Sequence, residues 1–339
     1  MISTRGIFEI LVASVGATRR VAPTEKENRM YGFSTGWNIR RHARLRDALE
    51  EIQQFGFEQV EVTGLNESQM REAVVLQQGG GSPRIVGVHS FCPLPPVERE
   101  ASFGDQLDLA SLDDTERNLA LDYSKRTIDF AAELGARVVV VHLGSVKVEY
   151  VPMTIYRWLT TYGGDTDEYR SQLDGLLQER SRRSAPHFDA AMRSLSELET
   201  HARDCKVSVG VENRYMYYQI PNREELGTIL AEFGPDTVVG YWHDVGHAYV
   251  NRMLGVEDQT IVPDGIKSRM IGIHIHDVMM DSTVRPPKID HRAPSTGIVD
   301  FVRERENVGD GALKIVELRR EVRSDDVRKG LDYLRSIRF

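Results

Sequence analysis

Ionisable side chains stand at the ends of several apolar runs in this sequence. In IGIHIHDV, residues 271–278, His274 and His276 share one face of a predicted strand, because strand side chains alternate with a period of two. The other runs of this kind end on His89, His142, Glu212, Asp244 and Glu317. A single buried histidine is usually a hydrogen-bonded core residue. Several uncompensated ionisable groups in one place, however, would cost several kcal/mol for each buried charge.

A divalent cation would remove that cost, because carboxylates and neutral imidazoles are stabilised around a positive centre. Two glutamates, one aspartate and one histidine offer mostly oxygen and some nitrogen donors. This donor set suits Mn²⁺, Mg²⁺ or Co²⁺, and Zn²⁺ is also compatible. The strand ends therefore predict a divalent-metal site, provided that the fold brings them together.

The elements that must position these groups alternate regularly along the chain. Eight short runs rich in Val and Ile predict strands at 31–35, 57–62, 84–90, 137–144, 207–213, 237–244, 270–277 and 312–319. Between them lie amphipathic segments of helical period, such as 44–55, 115–134 and 190–204. Strands that are apolar at nearly every position must be covered on both faces, as parallel strands are in α/β proteins.

Eight such units predict a (β/α)8 TIM barrel in a single domain. An open doubly wound sheet is the alternative, but no GxGxxG follows the first strand. The barrel would span residues 30–339, after an N-terminal extension at 1–29, with a long insertion at about 148–189 that is typical of an active-site lid. In such a barrel the carboxyl ends of all strands meet at one rim, where catalytic groups lie.

The net charge, the length of the apolar runs and the cysteine count indicate which binding partners and cellular setting to expect. The net charge of −8 disfavours nucleic acid, although the stretch ERSRR at 179–183 is locally basic. No apolar run reaches the roughly 18 residues that span a bilayer, so a membrane is not expected. Cys92 and Cys205 are too few for a disulfide framework, which predicts a reducing, cytoplasmic setting.

Four short motifs carry a family resemblance. The runs VEN, HDVGHA, HIHD and VELR, on the last four predicted strands, resemble the xylose isomerase-like TIM-barrel superfamily over roughly residues 30–337. That superfamily includes sugar and sugar-phosphate isomerases and epimerases, and the endonuclease IV branch. The resemblance implies a metal held by Glu212, Asp244, His274 and Glu317. His274 is preferred to His276 because the family histidine stands three residues before an aspartate, here Asp277.

The endonuclease IV pattern implies further ligands. His89, His142 and His247 match three of them, and His291 aligns with a fourth. The pattern departs at Ile289, which stands where an aspartate ligand is expected, so that a third metal site would be incomplete. His276 also faces inward. The candidates for a second metal or for substrate contacts are His89, His142, His247, His276 and His291.

In the epimerases that this sequence resembles, two carboxylates exchange a proton at the carbon next to a carbonyl, while the metal polarises that carbonyl. Glu212 and Glu317 would form this acid/base pair. Period two places Arg214 and Arg319 beyond them on the same faces, where guanidinium groups could hold a phosphate, carboxylate or hydroxyl of the substrate or form ion pairs at the rim. His247 could orient substrate, hold a second metal or only cap a helix.

The sequence therefore predicts a divalent-metal-dependent sugar or sugar-phosphate isomerase or epimerase. An endonuclease IV-like phosphodiester hydrolase is the alternative, and a non-catalytic metabolite-binding barrel is a third possibility. The predicted partner is a small carbohydrate. The resemblance also implies a homodimer or a homotetramer.

Overall fold

A computed structural model describes residues 31–97, 103–149, 155, 159, 164, 166–279 and 289–339 of the 339-residue chain. The extension predicted for residues 1–29 lies outside these ranges. Most of residues 150–165, in the predicted insertion, lies outside them as well. Within the described ranges, every helix is too short or too polar to span a lipid bilayer.

Eight parallel strands close into a barrel in chain order, so the predicted TIM barrel is confirmed. The strands are β1 (Gly32–Ser34), β2 (Gln59–Thr63), β3 (Arg84–His89), β4 (Val138–Val141), β5 (Ser208–Glu212), β6 (Val239–Asp244), β7 (Met270–Ile275) and β8 (Leu313–Val316). The barrel closes where Phe33 of β1 pairs with Val316 of β8. Each observed strand overlaps a predicted run, because the buried Val and Ile residues mark strands that are covered on both faces.

Helices cover the outside of the barrel. They are α1 (Leu45–Gln53), α2 (Glu67–Gln78), α3 (Asp114–Leu134), α4 (Asp167–Cys205), α5 (Arg223–Phe233), α6 (Val245–Met253), α7 (Asp264–Lys267), α8 (Phe301–Glu304) and α9 (Ser324–Ser336). Asp300 is the N-cap of α8, and its carboxylate accepts a hydrogen bond from the Arg303 N–H. Ser295 has a φ of 71°, a left-handed value that favours glycine.

Apolar side chains fill the barrel interior below the ionisable side chains at the strand ends. Its apolar side chains are Val86, Val138, Val140, Trp242, Leu313 and Ile315. Trp242 is fully buried and fits because small residues face it: a Cβ added at Gly272 would lie 2.0 Å from the indole, and one at Gly210 would lie 3.2 Å away. The indole ring centre lies 5.1 Å from that of His274. The ionisable side chains therefore rest on a packed floor at the carboxyl end of the strands.

The second half of the predicted insertion is helical. Helix α4 runs without a break through the segment predicted as a helix at 190–204 and begins more than twenty residues before it. Arg180, from the locally basic stretch, is buried, and its guanidinium donates two hydrogen bonds to Glu225 of α5, at 2.7 and 2.6 Å. Arg183 pairs with Glu149. Two arginines of this basic stretch are therefore engaged in ion pairs within the chain.

Candidate metal centre and active site

Four side chains converge at the carboxyl end of the barrel. Glu212 and Asp244 are the last residues of β5 and β6, His274 lies near the end of β7, and Glu317 follows β8. One donor atom from each lies within 4.8 Å of those of the others. The closed barrel brings these four together because adjacent parallel strands end at the same rim.

The His274 ring lies at the centre of this group. Its Nδ1 lies 2.8 Å from Glu212 Oε1, 3.0 Å from Glu317 Oε2 and 3.7 Å from Asp244 Oδ2. Burial by itself lowers the pKa of His274, but the carboxylates of Glu317 and Glu61 outweigh it and raise that pKa well above the usual value. A positive charge at the centre of the group would therefore stabilise its carboxylates, and either a proton or a metal cation can supply that charge.

A second group of donors shares Glu212 with the first. His89, His142 and Glu212 offer donor atoms within 4.8 Å of one another. His142 Nε2 lies 2.6 Å from Glu212 Oε2, and its Nδ1 lies 2.7 Å from Asp105 Oδ1. Burial raises the pKa of Glu212, but the charge of His142 and hydrogen bonds from histidines hold it well below the usual value. Glu212 is therefore a carboxylate that both groups use.

A third group surrounds Asp244 and consists of Asp244, His247, His276 and His291. His247 Nδ1 donates to the Asn213 carbonyl at 3.0 Å, whereas its buried Nε2 has no hydrogen-bond partner among the described residues. Burial lowers the pKa of His247 to about 4, so the ring is neutral at neutral pH. An orphaned imidazole nitrogen beside a carboxylate is the kind of atom that a cation would complete.

The position of Ile289 fits the sequence-based expectation of a missing ligand. Ile289 is a buried core residue, and the neighbouring Asp290 pairs with His291 Nδ1 at 3.2 Å and with Arg319 at 3.2 Å. His276 instead lies against Asp244, with its Nε2 2.9 Å from Asp244 Oδ1. The third group thus contains His276 and lacks a carboxylate at position 289.

The hydrogen bonds of the ring nitrogens separate His276 from the other histidines. His276 Nδ1 accepts the backbone N–H of His291 at 2.9 Å, so a neutral ring carries its proton on Nε2 and donates it to Asp244. In His89 and His247, Nδ1 faces an acceptor, which leaves the Nε2 lone pair towards the site. In His142, Nδ1 faces Asp105, and the Nε2 lone pair accepts from Arg214. In this arrangement His276 orients Asp244 and offers no lone pair to a metal.

The donor chemistry fits divalent cations. The group of Glu212, Asp244, His274 and Glu317 is rich in oxygen, which suits Mn²⁺, Mg²⁺ or Co²⁺. The groups with more imidazole nitrogens suit Zn²⁺ better. All of these groups could hold a metal with the donors that the chain supplies.

A cavity of about 350 Å³ opens above the donor groups. Arg214 lies in its wall, and its Nη1 donates to Glu212 Oε2 and His142 Nε2, while its Nη2 donates to Asp105. Arg319 also lines the cavity and pairs with Asp290. The sequence left two roles open for these arginines, substrate contact and ion pairing at the rim. Both arginines form ion pairs with carboxylates of the chain.

Sequence reasoning missed several residues of the site. Arg40 and Arg320 line the mouth of the cavity, Asp105 holds His142, and Glu61 faces His274 from β2. Glu61 could have been found from the strand alternation, which points it inward together with Gln59 and Thr63. Asp105 ends a single 3-10 turn, Phe103–Asp105, which is too short for periodicity to give a signal.

Solved structures share this architecture. A D-tagatose 3-epimerase-like protein matches with a TM-score of 0.58 at 20% sequence identity, covering 91% of this chain and 96% of that chain. The 3-keto-D-glucoside 4-epimerase YcjR from E. coli gives 0.57 at 15% identity, with 91% and 99% covered. The IolI protein, in a structure with a zinc atom, gives 0.58 at 13% identity, with 91% and 96% covered. At these identities the likeness establishes the fold.

A sequence match extends over most of the chain. The family model described as xylose isomerase-like TIM barrel matches residues 49–337, a range that includes β2 to β8 and all three donor groups. No curated protein sequence matches significantly. The predicted resemblance is thus confirmed, and the chain belongs to the family of xylose isomerase-like TIM barrels.

Proposed function

We propose that this protein is a divalent-metal-dependent isomerase or epimerase of a small carbohydrate, acting by proton transfer at the carbon next to a carbonyl. The observation that carries the proposal is the convergence of Glu212, Asp244, His274 and Glu317 beneath an open cavity. The sugar epimerases among the structures of the same fold add support. The proposed metal ligands are these four residues.

Glu212 and Glu317 have the protonation state that a general base requires. Burial raises the pKa of Glu317, but the charges of His274 and His291 hold it well below the usual value, as histidines do for Glu212. Both carboxylates are therefore ionised at neutral pH. The two lie on different strands at the floor of the cavity, so one can take a proton from a bound sugar while the other holds its opposite side.

A divalent cation bound by these residues would polarise the substrate carbonyl and stabilise negative charge on its oxygen. Asp244 would serve as a ligand only, because it lies in contact with His276 and His247 and is fully buried. His276 would keep Asp244 in place. In an isomerase with one metal ion, His89, His142, His247 and His291 would contact the sugar hydroxyls.

The arginines favour a substrate with a negatively charged group. Arg319 and Arg320 line the mouth of the cavity, and Arg40 lies over the Phe103 ring on its wall. Guanidinium groups bind phosphate or carboxylate through paired donors. We infer that Arg319 contacts such a group, whereas Arg214 mainly positions Glu212 and His142.

A metal-dependent phosphodiester hydrolase is the second candidate. The observation that favours it is the presence of two further donor groups with histidines, since such enzymes use clusters of metals to activate water. The ion pairs made by Arg180 and Arg183 count against a basic surface for nucleic acid on α4. Metal content separates the candidates, because the isomerase needs one ion and the hydrolase needs two or three.

Solvent deuterium exchange tests the proposal. The Mn²⁺-loaded protein is incubated in D2O with a panel of ketoses and their phosphates, and deuterium at the carbon next to the carbonyl is measured by mass spectrometry. We expect exchange with at least one sugar, and a loss of about 10²–10⁴-fold in E212Q and E317Q, because each removes a proton-transfer group. A non-catalytic barrel would bind sugars without any exchange.

A matched control is E304Q. Glu304 is a buried carboxylate 3.9 Å from a histidine, His243, but it does not line the cavity. E304Q should exchange deuterium like the wild type. Cleavage of abasic DNA that disappears in E212Q, with no exchange in any sugar, would replace the isomerase by the hydrolase.

A further inference from the structure

Glu61 is a buried carboxylate to which the proposed function gives no role. It lies in the middle of β2, faces the barrel interior and is fully buried. Among the described residues the only hydrogen-bond partner of its carboxylate is His274, whose Nε2 lies 3.3 Å from Oε1 and 3.2 Å from Oε2. A buried carboxylate that lacked a strong partner would cost several kcal/mol, so a specific reason for this residue is required.

The two nitrogens of His274 face different environments. Nδ1 points to the oxygens of Glu212, Glu317 and Asp244, at 2.8 to 3.7 Å. Nε2 points the opposite way, into the barrel, towards Glu61. An imidazole that binds a metal through one nitrogen must carry its proton on the other, and a carboxylate at that second nitrogen stabilises this tautomer.

We propose that Glu61 is a positioning residue that accepts the Nε2–H of His274 and so directs the Nδ1 lone pair to the metal. The residue touches neither the cavity nor the reacting atoms, and it acts only through His274. This inference rests on the metal-binding part of the proposed function, and it is independent of the reaction that follows.

The same arrangement occurs on the other side of the site. Asp105 Oδ1 lies 2.7 Å from His142 Nδ1, and His142 Nε2 faces Glu212. Asp105, however, lines the cavity and also pairs with Arg214. Glu61 is fully buried, and no arginine of the described residues is bonded to it, so its interaction with His274 can be measured without a second charged partner.

Binding of Mn²⁺ to the chelator-treated protein tests the proposal, with free Mn²⁺ followed by electron paramagnetic resonance. E61L removes the acceptor, and we expect the tightest Mn²⁺ site to weaken about 10–100-fold. E61Q keeps an acceptor oxygen, so it should recover most of that loss. E304Q, at the His243 pair, should bind Mn²⁺ like the wild type.

Long-range ¹H–¹⁵N spectra of the Zn²⁺-loaded wild type supply a readout that does not depend on variants. We expect His274 to carry its proton on Nε2, with Nδ1 bound to the metal. A proton on Nδ1, or an E61L protein that binds Mn²⁺ within about twofold of the wild type, would overturn the proposal. A wild type that binds no divalent cation would instead remove the proposed function itself.

Discussion

At the scale of single residues, the hydrogen bonds of imidazole nitrogens decide which histidines can be ligands. His274 and His276 stand two residues apart on one strand and face the same way, yet their free lone pairs differ. His274 has a carboxylate at Nε2, whereas His276 accepts a backbone N–H at Nδ1. A neutral ring has one lone pair, so the first can bind a metal through Nδ1 and the second donates to Asp244.

Substitutions at His276 test this assignment. Gln can donate to Asp244 and accept from the His291 N–H, whereas Leu can do neither. We expect H276L to weaken metal binding about 10–100-fold and H276Q to weaken it less, with the number of bound ions unchanged in both. Elemental analysis measures that number. If H276Q loses one ion per chain, His276 is a ligand and the assignment is wrong.

At the scale of elements, the buried pair of Arg180 and Glu225 joins α4 to α5. The side chains are only 6% and 11% exposed, and Arg180 also donates to the Gln219 carbonyl at 3.1 Å. A buried ion pair contributes little net stability over an apolar pair, but loss of one partner leaves an uncompensated charge. This pair therefore fixes where the long helix lies against the barrel.

Urea unfolding of single and double variants measures this contact. R180M should lower the free energy of unfolding by about 3–5 kcal/mol because it leaves Glu225 buried without its partner. The double variant R180M/E225M should lose much less. R183M, at a pair on the surface with Glu149, is the control and should change stability by about 0–1 kcal/mol. Equal losses in R180M and R183M would contradict the argument.

At the scale of the whole molecule, the rim of the barrel carries more negative charge than its arginines neutralise while its histidines are unprotonated. The carboxylates of Glu317 and Asp290 keep protons on His291 and raise its pKa well above the usual value, although burial alone lowers that pKa. The same holds for His274. Metal ions would take the place of these protons, so the effect of pH on the free energy of unfolding should depend on whether metal is bound.

The metal-free protein should lose stability as the pH rises. The pKa of His274 and that of His291 lie well above 6.5, so their contribution is complete below pH 6.5 and is lost as the pH rises through the folded-state values. The pKa values of Glu212 and Glu317 lie well below 4.5, so their contribution is lost only in acid. We expect chemical unfolding with chelator to show a free energy of unfolding that declines as the pH rises above about 6.5.

Addition of Mn²⁺ should remove that decline, because the cation replaces the protons that are lost. The same unfolding series is repeated with Mn²⁺ in excess. If the free energy of unfolding of the chelator-treated protein stays constant as the pH rises, the carboxylates do not keep these histidines protonated. In that case a different positive charge must stabilise the buried carboxylates of the site.

The sequence predicted the repeating elements well, for a physical reason. Each strand is short and apolar at nearly every position, and period two then places Glu212, Asp244 and Glu317 on inward faces at or just beyond strand ends. The insertion was predicted less well. Residues from Asp167 onward have low hydrophobicity and many charges, so their long helix depends on contacts such as Arg180–Glu225 that a local pattern does not contain.

By itself, the sequence determined a closed βα barrel and the identity of the side chains at its rim, because burial and alternation act locally along each strand. Only the tertiary structure decided what each side chain faces. Glu61 and Asp105 contact groups 37 to 213 residues away, and the tautomer of His276 and the partners of Arg214 other than Glu212 depend on groups 15 to 109 residues away. Hydrogen bonds need distances correct to a fraction of an ångström, and no one-dimensional pattern specifies these.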